Sequence, residues 1–124
     1  KYYTSTASGK MGNCPVAVTD SYSHPNGTTE QKMLEINTTS VVWLYNVYFD
    51  FRNLTQDATM KVYSQINGSY VEMPLMRLTV GTNERYGISM KTVMINTDWK
   101  FTLTSSIYEN ATRIISYRYF KEEY

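Results

Sequence analysis

His24 is the single histidine of the chain, and it limits the acid–base chemistry these residues could support. General acid–base work at neutral pH draws most often on an imidazole or on paired carboxylates held in a pocket. His24 falls in the run His24-Pro25-Asn26-Gly27, whose residue types favour a turn, so it is expected as a solvated turn residue. A Ser-His-Asp triad could be assembled only around that one ring, and no nucleophile-elbow motif accompanies it. Asp50 and Glu72 could be drawn as a glycosidase-type pair, but on alternating strands they read more simply as outward-facing charges. No catalytic residue is expected, and an unrecognised hydrolase ranks below any binding role.

Metal and redox chemistry find little support. Cys14, followed by Pro15, is the only cysteine, which excludes an intrachain disulfide and any C-x-x-C motif. It reads as a small half-buried residue near a strand start. Zinc lacks ligands, and no calcium-loop spacing occurs. Asp20, Asp57 and Asp98 all fall near expected loops, where Asp ordinarily stabilises turns through its own backbone. No metal or cofactor is expected.

Two residue patterns point to a surface. Asn-x-Ser/Thr sequons begin at Asn26, Asn37, Asn53, Asn67 and Asn110, mostly at expected turns or strand ends, where a glycan would be accessible in a secreted glycoprotein. The chain also holds twelve tyrosines. Tyr combines apolar area with a hydroxyl at low entropic cost, which suits binding surfaces and stacking on sugars as well as plain cross-strand packing. Tyr48, Tyr63, Tyr70 and Tyr108 are expected to face outward or toward a partner. Met11, Met33, Met60, Met73, Met76, Met90 and Met94 read as core filler.

The elements that must position these groups are strands. At 124 residues, rich in Tyr, Thr, Ser and Asn, the chain fits one all-β domain with its own core. In Val41 to Phe51 the odd positions Val41, Trp43, Tyr45, Val47, Phe49 and Phe51 are all large and apolar, the pattern of a strand face. Val42, Leu44 and Tyr48 on the even face suggest a central strand covered on both sides. Ala58, Met60, Val62 and Ile66 alternate up to Asn67-Gly68, a dipeptide suited to a type I′ hairpin turn. Pro74 confines the return strand, Tyr70 to Val80, to an edge or breaks it. Further strands are expected over Tyr86 to Ile95, over Trp99 to Ile107, and over Arg113 to Phe120, with Val16, Val18 and Tyr22 in a short earlier one. The expected core is Trp43, Tyr45, Val47, Phe49, Met60, Val62, Ile88, Met90, Trp99, Phe101, Leu103 and Ile115.

Hairpin-length connections leave no room for crossover helices, so the fold is expected to be an antiparallel β-sandwich of about seven or eight strands, immunoglobulin-like or jelly-roll-like. Residues 1–12 read as an N-terminal arm and 13–124 as the single sandwich domain. The pattern is similar to immunoglobulin-like modules of virions, appendages and cell surfaces, though it lacks the Cys-Trp-Cys spacing of antibody-type domains, and many functions share such folds.

The net charge of +1 provides no long-range field for phosphate backbones or anionic membranes, so nucleic acid is not an expected partner. No apolar run approaches the roughly 20 residues of a membrane span, and no signal peptide is visible. The expected function is that of a non-enzymatic structural or adhesive protein, extracellular or on a virion surface, that acts by self-assembly or binding in a virion or filament. A carbohydrate-binding module using exposed Tyr is the alternative. The expected assembly residues are Tyr2 and Tyr3 of the arm, added as a strand to an open edge formed by Tyr117, Tyr119 and Phe120 in a neighbouring copy.

Overall fold

A computed structural model describes residues 15–38, 41–90, 93–95 and 97–123. Its strands are β1 (Val16–His24), β2 (Gln31–Ile36), β3 (Val42–Asp50), β4 (Ala58–Ile66), β5 (Ser69–Glu72), β6 (Leu78–Val80), β7 (Ile88–Met90), β8 (Val93–Ile95), β9 (Trp99–Ser105) and β10 (Arg113–Glu123). Sheet A runs β1, β10, β3, with β7 and β8 sharing the position beyond β3; sheet B runs β2, β9, β4, with β5 and β6 sharing the position beyond β4. Every pairing is antiparallel. The chain changes sheet at each connection except the β4 to β5 hairpin and the breaks inside shared positions. This order, eight strand positions wound as two interleaved four-position sheets, is that of a jelly roll, and it decides between the two expected topologies.

The break within the return strand follows from Pro74, which lacks an N–H for the ladder. A 3-10 turn over Pro74–Met76 separates β5 from β6, and both pieces lie at the edge of sheet B. At Asn67-Gly68 both residues have positive φ, 53° and 82°, and Ile66 pairs directly with Ser69, which is the expected two-residue hairpin. The expected strand from Tyr86 to Ile95 is shorter and divided, beginning only after a 3-10 turn over Asn83–Tyr86.

Between the sheets lie Met33, Leu34, Ile36, Val42, Leu44, Val47, Phe49, Phe51, Leu54, Ala58, Met60, Val62, Val80, Trp99, Phe101, Leu103, Ile115 and Tyr119. Phe49 is the centre of an aromatic cluster, with the Phe101, Phe51 and Tyr117 rings 5.5, 5.8 and 6.2 Å away. Each fully buried large apolar side chain contributes about 1.5 to 3 kcal/mol, so this cluster alone outweighs any surface ion pair of the protein.

The core departs from strict alternation in β3. Trp43 and Tyr45, expected inside, point outward and are only half-buried, whereas Val42 and Leu44 are buried. The cause is a β-bulge. Tyr48 pairs with Arg118 and Tyr45 with Phe120, so Asn46 and Val47 together oppose the single residue Tyr119. Asn46 takes φ of 51°, a conformation Asn tolerates better than most residues, and the extra residue exchanges the two faces of the strand at that point. Ile88 is half-buried against the core. The Met90 side chain lies outside the described residues.

Sheet order also corrects the expected open edge. The last strand is not at an edge: β1 covers one side of β10 from Val16↔Lys121 to His24↔Arg113, and β3 covers the other. Tyr119 is buried, Tyr117 is half-buried beside Phe49, and Phe120 stands half-exposed on the outer face of the sheet. Backbone pairing leaves none of the three on a free strand edge. Tyr2, Tyr3 and the rest of residues 1–12, together with Cys14, lie outside the described residues.

Candidate functional site

The bulge at Asn46 builds the outer face of sheet A. Because it inserts one residue, Trp43 and Tyr45 before it share a face with Tyr48 and Asp50 after it. Across the strand boundary, Trp43 pairs with Glu122, Tyr45 with Phe120, and Tyr48 with Arg118. The rings of Trp43 and Tyr45 are nearly parallel and stacked, with centroids 6.5 Å apart and an interplanar angle of 18°. The Tyr45 hydroxyl donates to Glu122 Oε1. Arg118 lays its guanidinium over Tyr48 and Phe120, with Cζ 5.4 and 5.9 Å from the ring centroids, a cation–π arrangement worth about 0.5 to 1 kcal/mol at an exposed site.

Gly87 makes room for this surface. A Cβ there would come within 2.3 Å of the Tyr48 hydroxyl and 2.6 Å of its ring, so the phenol lies against backbone that only glycine leaves open. On the β1 side the face continues into Ala17 and Thr19, opposite Phe120 and Arg118, whose small side chains keep it level. The result is an aromatic platform with Arg118 above it and the carboxylates of Glu122 and Asp50 on the same face.

The outer face of sheet B is organised differently. Glu30 accepts hydrogen bonds from the Tyr63 hydroxyl and, at 2.5 Å, from the Thr102 hydroxyl. Burial opposes its charge, but these two donors, with Lys61 and Lys100 nearby, outweigh that cost and hold its pKa below the usual carboxylate range. Glu35 accepts from Lys32 at 2.7 Å and Tyr70 at 2.5 Å. Burial and the hydrogen bond to Glu30 push the Tyr63 hydroxyl up to about 12. Lys100 Nζ sits 4.8 and 4.6 Å from the centroids of Tyr63 and Tyr70, and Arg77 grips Glu72 through two bonds of 2.6 and 2.7 Å. Tyr63 and Tyr70, expected to face outward, do so, but their hydroxyls are committed to pairs within the sheet.

His24 is corrected outright. It is fully buried, with Nε2 2.7 Å from Ser105 Oγ and Nδ1 3.0 Å from Tyr22 Oη. Desolvation lowers its pKa, the negative charge of Glu109 opposing, and burial pushes the Tyr22 hydroxyl up to about 12. The turn begins only after His24, which is still the last residue of β1. Close by in the fold, Glu109 is likewise buried, its carboxylate receiving the Thr55 and Gln56 N–H groups, the Thr55 hydroxyl and Arg113 Nε at 2.8 to 3.2 Å. These groups tie the β3 to β4 connection to the start of β10.

The sequons occupy the two ends of the sandwich. Asn26, Asn53 and Asn110 share one end: Asn26 Oδ1 accepts the Asn110 N–H at 2.9 Å, and Asn53 Nδ2 donates to the Ile114 carbonyl at 2.9 Å. Asn37 and Asn67 are at the other, and all five are exposed. Asp20 is in β1 rather than a loop, Asp57 pairs with Arg85 at 3.0 Å, and Asp98 Oδ1 accepts the Thr38 N–H at 3.1 Å. Among the described residues no three His, Cys, Asp or Glu side chains gather as a metal site, and no helix is long and apolar enough to cross a membrane. Tyr108 is exposed in the β9 to β10 connection.

Sequence reasoning identified Tyr48 as outward and missed Trp43, Tyr45, Arg118, Glu122 and Gly87 as its neighbours. The one available signal was Asn46, a lone polar residue tolerant of positive φ inside an apolar run.

No family model matches the sequence, and no curated protein does. Among solved structures, the chain is similar to the Yersinia pseudotuberculosis-derived mitogen (YPM), at 10% identity and a TM-score of 0.49 over 86% of each chain. It is also similar to the infectious bursal disease virus Gt strain structure, at 12% identity and a TM-score of 0.39, over 88% of this chain and 33% of that one. The class of protein defined here, a jelly-roll β-sandwich, rests on its own strand order and not on these likenesses.

Proposed function

We propose that this protein is a non-enzymatic structural or adhesive component of a virion surface or extracellular filament, and that it acts by binding a neighbouring subunit through the outer face of sheet A. The observation that carries this reading is the contrast between the two outer faces. On sheet B the phenols of Tyr63 and Tyr70 lie among the charges they pair with, whereas sheet A sets Trp43 and Phe120, which carry no hydroxyl to commit, beside Tyr45 and Tyr48 on one face. Aromatic residues and Arg at the centre of a patch supply most of the energy of protein interfaces. The burial of His24 supports the non-enzymatic part, since an imidazole closed off by Tyr22 and Ser105 cannot meet a substrate.

A saccharide is the second reading. It is favoured by the paired rings of Trp43 and Tyr45 on one outer face, onto which a sugar ring could stack, with Arg118 and Glu122 beside them as hydrogen-bonding groups. Sedimentation and titration with a panel of oligosaccharides, each repeated on Trp43→Ala, decide between them. Self-association that Trp43→Ala weakens supports the first reading. Saccharide binding lost in the same variant replaces it with the second. A protein that does neither, or whose association ignores Trp43, overturns the role of this face.

A further inference from the structure

Among the described residues four strand edges bound the two sheets, and three of them are blunted in ways that oppose pairing with another chain. The β7 and β8 edge consists of two three-residue pieces. The β5 and β6 edge is broken at Pro74. The β2 edge is six residues long, irregular between Lys32 and Leu34, and carries the ion pair of Lys32 with Glu35. The fourth edge, β1, has none of these devices. It runs nine residues, Val16–His24, without proline, lysine or a register shift, and Val16, Ala17, Thr19, Asp20, Ser21 and Ser23 are exposed. Its one acidic residue, Asp20, folds back along the edge, where Oδ1 accepts the Ser21 N–H at 2.8 Å. That bond marks the odd-numbered amides as the set turned away from β10, because alternate residues of an edge strand address the neighbour and the solvent in turn.

We propose that β1 pairs antiparallel with β1 of a second copy, joining two A sheets edge to edge across a two-fold axis. The strand is suited to pairing with itself. An axis through Thr19 sets Ala17 against Ser21, Val16 against Tyr22 and Val18 against Asp20, so no two carboxylates face each other and no bulky side chain crowds the outer surface. A net charge of +1 offers little repulsion between copies. Because the two-fold stands perpendicular to the joined sheet, both aromatic faces end on the same side, giving a bivalent surface. An isologous pair closes on itself, so this contact makes dimers, and any longer assembly needs a different one.

Pairing through β1 is independent of contacts made by the aromatic face of sheet A, and separate variants distinguish the two. Sedimentation equilibrium of the full chain up to about 1 mM should show a reversible monomer–dimer equilibrium. Hydrogen exchange at Ala17, Thr19 and Ser23 should slow as concentration rises. Thr19→Pro deletes an N–H from the free edge while sparing the ladder to β10, and it should weaken the dimer at least about tenfold with the thermal midpoint nearly unchanged. Should that variant misfold, the double substitution Ala17→Lys with Ser21→Lys sets like charges opposite one another at exposed positions and should have the same effect. A monomer at every concentration overturns the proposal. So does a dimer that withstands a folded edge variant, one that Trp43→Ala abolishes, or one lost only when residues 1–12 are deleted.

Discussion

Tyr45 and Tyr48 stand on the same face of one strand although two residues lie between them, because Asn46 and Val47 together oppose Tyr119 in the neighbouring strand. This single irregularity decides which side chains form the core and which form the aromatic platform. On one side of it Val42 and Leu44 point inward, and on the other Val47 and Phe49 do.

The positive φ of Asn46 is therefore a specific requirement. Asn46→Gly should leave stability nearly unchanged, since glycine adopts that conformation without steric cost. Asn46→Val should cost about 1 to 3 kcal/mol, measured as a shift in urea midpoint, because a β-branched residue is strained there. Equal stability of the two variants would mean that the bulge sits elsewhere.

Gly68 gives a second backbone test, free of packing. A Cβ at this position meets nothing within 4 Å, yet φ is 82°. Gly68→Val should thus destabilise by about 1 to 2 kcal/mol purely through the turn conformation. Gly68→Asn should recover most of the loss, and thermal melts of the two variants check it.

Buried neutral, His24 makes stability depend on pH. Its folded pKa is lowered below the usual imidazole value of about 6.5, chiefly by desolvation, so the unfolded chain takes up a proton first as pH falls. The stability His24 supports is complete above about pH 6.5 and declines from there toward the folded pKa. Chemical denaturation across this range should show the slope, and His24→Gln should flatten it. An unchanged profile in the variant would assign the slope to another group.

Glu109 acts lower on the scale. Desolvation pulls its pKa up, but the Thr55 and Gln56 N–H groups, the Thr55 hydroxyl and Arg113 prevail and hold it below 4.5. Its contribution is present at neutral pH and is lost as pH falls through that lowered value. Glu109→Ala leaves two backbone donors and Arg113 without their acceptor, and should cost about 3 kcal/mol or more in a denaturation experiment at neutral pH. A loss well under about 1 kcal/mol would show that water replaces the carboxylate.

How much of this was legible from residues alone depended on the range of the interactions. The hairpin at Asn67-Gly68 and the break at Pro74 are properties of one or two residues, φ preference and a missing donor, and both were readable. Likewise the alternation of Trp99, Phe101 and Leu103 fixed one buried face without knowledge of its partner. The platform was not readable, since strict alternation placed Trp43 and Tyr45 inside, and only the pairing of β3 with β10 reveals where the extra residue falls.

The sequence by itself determined that this protein is an antiparallel β-sandwich with sequons at its turns, because period, turn chemistry and composition act over a few residues. Strand order it could not determine. Which strand ends at an edge depends on partners far along the chain, and β1, nearly a hundred residues from β10, covers the strand that looked open. The environment of His24 was decided the same way. A histidine next to Pro-Asn-Gly looks solvated until Ser105, 81 residues later, closes over its ring. Local physics named the elements, and the long-range pairing of the two sheets chose the faces, the edges and the buried polar groups on which a function can be built.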